Sequence, residues 1–255
     1  MTFNEKNFLK YKFFDVDVTF LDYPDILEAI FNSPLRTFTC VNQYYLNLVY
    51  EDEQYGTLLK SFDMIHPDGI GIIFAKKILF RDTNKVIRIN GSDLYLKIID
   101  RLHCEDKNIF LLGDLGDVVE KSCTKIKELY PGIKVQGIHH GYIDLDDERI
   151  IETINHTNSF LLMVGLGSKR QEYWIHKWSG KLNVEKIVVV GGGFRIISND
   201  RARGPVWIQN LGLEWLVRLI TEPKKYWIRY LIGIPLFFIR IIKYKKLINI
   251  PMVPK

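Results

Sequence analysis

Residues 160–172 read FLLMVGLGSKRQE: an apolar run from 160 to 164, a glycine turn Gly165-Leu166-Gly167-Ser168, then the polar start Lys169-Arg170-Gln171-Glu172. An unbroken apolar run closed by glycines is the pattern of a strand buried on both faces, and the polar stretch after it opens a helix. The same unit recurs on either side. Residues 108–112 run into Gly113-Asp114-Leu115-Gly116, and residues 186–190 run into Gly191-Gly192-Gly193.

Working outward, further strands are predicted over residues 14–20, 37–41, 63–66 and 135–138. Helices are predicted over 25–32, 43–50, 69–79, 92–102, 118–129, 147–156 and 169–182, with Ser92 as the cap of the helix after Gly91. Strands alternating with helices predict an α/β fold: a Rossmann-like, largely parallel sheet with helices on both faces. In such a sheet ligands bind at the carboxyl ends of the strands, so the loops that leave those ends carry the candidate chemistry.

The chain has 255 residues, 47% hydrophobic and 25% charged, enough for one sizeable core. We read residues 1–200 as the α/β body and residues 201–255 as a basic, apolar C-terminal appendage. Residues 224–255 hold eight basic side chains and no acidic one; taking those eight from the net +5 leaves the rest of the chain at −3. Residues 230–239 read YLIGIPLFFI. That run is too short and too interrupted to span a bilayer, but it can lie on an anionic one, with Tyr226, Trp227, Phe237 and Phe238 entering the interface. The other reading is a helix packed on the body with its Lys and Arg as a solvated rim. Cys40, Cys104 and Cys123 are odd in number and widely spaced, and the first eleven residues are polar rather than a signal peptide, so a reducing cytosol is expected, with Cys104 and Cys123 as buried thiols.

His66-Pro67-Asp68-Gly69-Ile70-Gly71 follows a strand and opens a helix. Asp68 there is either an N-cap or a general base placed to take a proton from an acceptor hydroxyl. Arg88 precedes Asn90-Gly91-Ser92-Asp93, where an arginine and a helix start both favour phosphate oxygens. A dinucleotide fingerprint fails from Gly165 and from Gly191, because Arg170 and Ile196 stand where the third glycine would be, which weighs against an oxidoreductase. The Asp15/Asp17 and Asp144/Asp146 pairs read as solvated carboxylates and His139-His140 as a loop pair, so no metal site is expected.

In order and spacing, Pro67-Asp68-Gly69, Arg88-x-x-Gly91-x-Asp93-Leu94, Gly165-Leu166-Gly167-x-x-x-Gln171-Glu172, Arg203-Gly204-Pro205-x-Trp207 and Gly212-Leu213-Glu214-Trp215-Leu216-x-Arg218-Leu219, followed by Glu222-Pro223, resemble the WecG/TagA/CpsF glycosyltransferase family. The resemblance runs from about residue 38 to about residue 230. It implies an inverting hexosyltransferase without a metal cofactor that moves a sugar, N-acetylmannosamine by default, from a UDP-sugar to a polyprenyl-diphosphate-linked sugar in teichoic acid, capsule or related polysaccharide synthesis. It also implies a peripheral place at the cytoplasmic face of the cell membrane. By motif, Asp68 is the implied base and Arg88 steadies the diphosphate. Asn42, Gly113, Gly167, Gln171, Glu172 and Gly192 are implied at the donor, and Arg203, Arg218, Lys224, Lys225 and Arg229 at the diphosphate and membrane. No nucleic-acid partner is expected, and a homo-oligomer is left open. Cys40, Lys169, Arg195 and Asn199 depart from the family pattern, which keeps a second reading alive: a catalytically weak, membrane-docked partner of a polysaccharide assembly complex.

Overall fold

The computed structural model describes residues 8–82 and 86–247. Six parallel strands form the sheet: β3 (Thr37–Val41), β4 (Met64–Pro67), β5 (Asn108–Gly113), β6 (Lys134–His139), β7 (Leu161–Gly165) and β8 (Lys186–Val189). Their order is β4-β3-β8-β7-β5-β6. Side chains alternate along each strand, and each face carries its own core. On one face Val41, Ile65, Phe110, Leu112, Leu162, Val164, Ile187 and Val189 pack under α2 (Gln43–Glu51), α3 (Glu53–Lys60), α4 (Ile70–Phe80), α7 (Arg149–Asn155) and α8 (Arg170–Trp178). On the other, Phe38, Met64, Ile109, Leu111, Leu161, Met163, Val188 and Val190 pack under α1 (Tyr23–Asn32), α5 (Gly91–Cys104), α6 (Gly116–Leu129) and α9 (Gly193–Ile197). Covering both faces is what lets β5 and β7 be apolar through most of their length, whereas the edge strand β6, KVQGIH, is polar and only partly buried.

The expected strand over 14–20 is not part of this sheet. It begins at Val16 and pairs antiparallel with a strand absent from the prediction, so that β1 (Leu9–Phe13) and β2 (Val16–Phe20) form a separate hairpin. Its two turn residues, Phe14 and Asp15, both have positive φ, 48° and 63°. Positive φ at both positions matches the right-handed twist of a hairpin but is unfavourable for Phe. Phe14 is held there by edge-on ring contacts with Tyr50 and Tyr244.

The caps also differ from expectation. Asn90, not Ser92, caps α5: its side-chain oxygen accepts from Ser92 N–H at 3.0 Å. Cys123 is buried, but Cys104 closes α5 as an exposed thiol. Asn199, at φ 63°, adopts the left-handed conformation that asparagine tolerates better than most side chains.

After α9 the chain forms α10 (Val206–Asn210), α11 (Glu214–Thr221), α12 (Pro223–Trp227), a π-helical stretch (Ile228–Ile232) and α13 (Gly233–Leu247). Among the described residues no helix is long and apolar enough to cross a membrane. α13 packs against α2 and α4, and Phe237 and Ile241 are fully buried in the first core. Asn47 donates to the Gly233 carbonyl at 2.7 Å, and Arg240 pairs with Glu51 at 2.7 Å. Of the four aromatics expected at a membrane interface, Tyr226 and Phe237 are therefore core residues and Phe238 is partly buried; Trp227 is exposed. The basic run is split likewise, because Arg240 and Lys245 turn back onto the body. Lys255 lies outside the described residues. Replacing Phe237 by Ala removes a buried ring from this seam and is expected to lower stability by about 3–5 kcal/mol. A urea midpoint that hardly moves would mean that α13 does not close the core.

Candidate active site

The carboxyl ends of the strands surround a cavity of about 650 Å³. Its floor is set by close contact between strand ends. Gly113 and Gly165 are paired neighbours on β5 and β7, and a Cβ on Gly113 would stand 2.5 Å from the Gly165 carbonyl oxygen. A Cβ on Gly165 would stand 2.6 Å from the carbonyl oxygen of Gly191. Glycine is thus the residue that lets three strand ends and their loops converge.

Asp68 is half-buried at the mouth of β4 and lines this cavity together with Asn42, Gly167, Gly192, Arg218, Lys225 and Arg229. It does not cap α4, whose first turn lacks a side-chain cap and starts at Gly69 with φ 83°. Instead its Oδ1 accepts from Gly91 N–H, the first residue of α5, at 3.1 Å. Its own N–H donates to the Val41 carbonyl at 2.8 Å. Asp68 is thus tied to β3 through its backbone and to α5 through its carboxylate. Beside it, burial depresses the pKa of His66, keeping that ring neutral.

A second cavity of about 290 Å³ also borders Asp68. It shares Asn42, Asp68, Asn90, Arg218 and Arg229 with the first, but its far wall is apolar, built from Phe74, Trp215, Ile234 and Phe238. Arg88 lines only this second cavity and donates from Nη2 to the Gln209 carbonyl. Six cations line the larger cavity: Arg170, Arg195, Arg201, Arg218, Lys225 and Arg229, against the carboxylates Asp68 and Asp114. Arg195, one of the departures, is spoken for, since it grips Asp114 bidentately at 2.9–3.1 Å.

The remaining expected residues are placed differently. Gln171 and Glu172 are fully buried below the floor, where Gln171 donates to the Tyr45 hydroxyl at 3.0 Å and to Glu172 at 2.7 Å. Tyr45 lines the cavity, so these two residues reach it through that ring. Arg203 lines neither cavity; it pairs with Asp93 at 2.8 Å and Glu214 at 3.4 Å. Glu214 also accepts from the Asn90 amide, which ties the start of α11 to the start of α5. Gly113 makes the strand contact and lines neither cavity, and Lys224 is exposed and lines neither. The carboxylate pairs read as solvated make local contacts, Asp17 with Lys12 and Asp144 with Asp146 N–H. Sequence reading passed over Tyr45, Tyr95 and Arg201, which line the larger cavity from helix and loop positions that no motif marks.

A model of the glycosyl transferase WecG/TagA/CpsF family matches residues 11–249. The chain belongs to that family. Similar proteins include ones from Bacillus subtilis strain 168, 32% identical over 198 residues covering 77% of this chain and 75% of the relative, and from Bacillus spizizenii, 29% identical over 196 residues covering 77% and 74%. A Staphylococcus aureus relative is 30% identical over 208 residues, covering 82% and 80%. All three are named N-acetylglucosaminyldiphosphoundecaprenol N-acetyl-beta-D-mannosaminyltransferase. As a member of the WecG/TagA/CpsF family, the chain is a glycosyltransferase.

Under the floor, burial pushes the Glu172 carboxyl from its ordinary 4.5 up to about 7. Between those values the native protein keeps a proton that the unfolded chain has released, so stability falls as pH rises through that window. Glu172→Gln is expected to flatten that part of the profile and to be the more stable protein above pH 7. Parallel wild-type and mutant curves of unfolding free energy against pH would count against a buried, protonated Glu172.

Proposed function

We propose that this chain is an inverting hexosyltransferase that moves a sugar, N-acetylmannosamine by default, from UDP to a hydroxyl of a polyprenyl-diphosphate-linked N-acetylglucosamine, with Asp68 as general base. The observation that carries the reading is the position of Asp68 between a polar, cation-lined cavity and a smaller one with an apolar wall. The first suits a nucleoside diphosphate sugar, the second the head of a lipid-linked acceptor. The names of the relatives support the same donor sugar and acceptor.

In this mechanism the acceptor hydroxyl gives its proton to Asp68 as its oxygen bonds the anomeric carbon, while the bond from that carbon to the phosphate oxygen breaks on the opposite face. Transfer from one side and departure from the other inverts the anomeric centre and needs a single base. The leaving UDP takes the electron pair. Arg218, Lys225, Arg229 and the N–H groups of the glycine turns offset that charge, so the reading calls for no metal. Arg88, on the acceptor side, meets the lipid diphosphate.

The appendage, on this reading, brings the protein to the cytoplasmic face of the membrane. Support comes from exposed apolar side chains on α11 to α13, among them Ile220, Trp227, Ile228, Leu231 and Ile232, beside Lys224 and Lys225. An apolar surface rimmed by cations has the two-part attraction of an interfacial segment.

Asp68→Asn removes the base but keeps the size of the side chain. With a UDP-sugar and a short-chain polyprenyl-diphosphate-N-acetylglucosamine, turnover is expected to fall about 10²- to 10⁴-fold while UDP still binds. A mutant that turns over at the wild-type rate would end the reading of Asp68 as base. For docking, Ile228→Glu with Leu231→Glu, both at exposed sites, is expected to weaken binding to vesicles containing anionic lipid without lowering the melting temperature. Unchanged sedimentation with such vesicles would show that this surface is not the docking face.

A further inference from the structure

Arg201 stands in a loop between α9 and α10 that no motif marks, yet its side chain is only 8% exposed and lines the larger cavity. Its guanidinium lies across the glycine turn after β8: a Cβ on Gly192 would stand 2.5 Å from Nη1. On its other side it lies over the Tyr226 ring at 5.9 Å. The group is fixed in place by packing, while its donors go unused. Nε is buried without a hydrogen-bond partner, and its carboxylate neighbour Glu222 stands 3.5 Å away, beyond a well-formed bond.

The contrast with nearby arginines narrows what Arg201 can do. Arg195 spends its planar edge on Asp114, and Arg203 sits between two carboxylates, Asp93 and Glu214. Both have a carboxylate at 2.8–2.9 Å, although Nε of Arg203 is likewise buried without a partner. Arg201 shares its one carboxylate, Glu222, with Lys225, which also lines the cavity and pairs with Glu222 at 3.2 Å. One carboxylate thus faces two cations at the cavity wall. A nearly buried guanidinium with unmet donors is costly to keep unless something else meets them. Its planar fork fits an oxyanion with two acceptors side by side, and phosphate is the group that offers this repeatedly.

We propose that Arg201 is a diphosphate-binding residue of the donor site, with Glu222 as the carboxylate that holds Arg201 and Lys225 until the diphosphate of the nucleotide takes its place against them. The proposal rests on the glycosyltransferase reading above and adds a residue which that reading does not use. It accounts for glycine at position 192, since any side chain there would displace the guanidinium from the turn.

The test is calorimetric titration of the full chain with UDP and with uridine. Arg201→Ala is expected to weaken UDP binding about ten- to a hundredfold, the loss of a charged hydrogen-bond pair, and Arg201→Lys is expected to weaken it less. Uridine, which has no phosphate, is expected to bind all three proteins within about twofold. Glu222→Gln releases both cations and is expected to tighten UDP binding severalfold. Equal UDP affinity in wild type and Arg201→Ala overturns the assignment, as does a mutant that loses uridine and UDP in the same proportion, which marks a structural role. Failure of the wild-type chain to bind UDP at all would instead remove the donor reading, and the assignment with it.

Discussion

The hydrogen bond from Gly91 N–H to Asp68 Oδ1 joins the two halves of the site. β4 is an edge strand, and a carboxylate at the end of an edge strand would ordinarily swing into solvent. Here the chain leaves α4, returns through Ile89, whose carbonyl accepts from Gly69 N–H at 3.3 Å, and starts α5 directly against the Asp68 loop. The carboxylate of a cavity-lining residue is therefore tied to the first N–H of a fourteen-residue helix. Positioning matters for the base proposed here, because general base catalysis requires the acceptor hydroxyl within hydrogen-bond reach. A flexible aspartate would spend most of its time elsewhere.

The same corner also orients the C-terminal segment. Asn90, whose carbonyl oxygen caps α5, uses its amide on Glu214, and Glu214 receives Arg203. Three residues thus lock the start of α11 to the start of α5, and α11 carries Arg218 to the wall that both cavities share. At the far end α13 closes on α2 and α4 through Phe237 and Ile241. Between these anchors α12 and the π-helical stretch leave Trp227, Ile228, Leu231 and Ile232 exposed. The segment is held at both ends, and the exposed run Trp227, Ile228, Leu231 and Ile232 lies between the ties.

Much of this was legible in residue order. The inner strands β5, β7 and β8 could be read because burial on both faces makes them near-continuous apolar runs, and the glycines that close them mark the cavity floor. The hairpin was not legible, since Phe14-Asp15 lacks the glycine or asparagine that usually signals a two-residue turn; tertiary contacts of Phe14 impose what local preference does not. Asp68 could be singled out from its strand-to-helix loop, but its partner could not, because the hydrogen bond spans 23 positions in the chain. Short-range capping rules then pointed to the wrong helix. Ser92 failed as a cap for a related reason: Asn90, two residues earlier, has an amide that can cap the helix and also reach Glu214.

Charge shows the limit of sequence reading most clearly. Counting cations in the tail suggested that its arginines and lysines act together, yet packing sorts them by partner rather than by position. Arg240 returns to Glu51 and Arg203 to Asp93 and Glu214, each inside a completed pair. Arg195 looked like a charge out of place until Asp114, 81 positions earlier, is seen to receive it. A neutralised pair at a cavity wall adds rigidity without adding field, because its attraction for an incoming anion is offset by the carboxylate beside it. What remains to attract a diphosphate is the set of cations whose counterions are shared or absent, and these come from the loop after α9 and from α11 to the π-helical stretch, facing the glycine turns. The proposed diphosphate would thus be met by what the packing leaves unpaired, and not by the total charge of the chain.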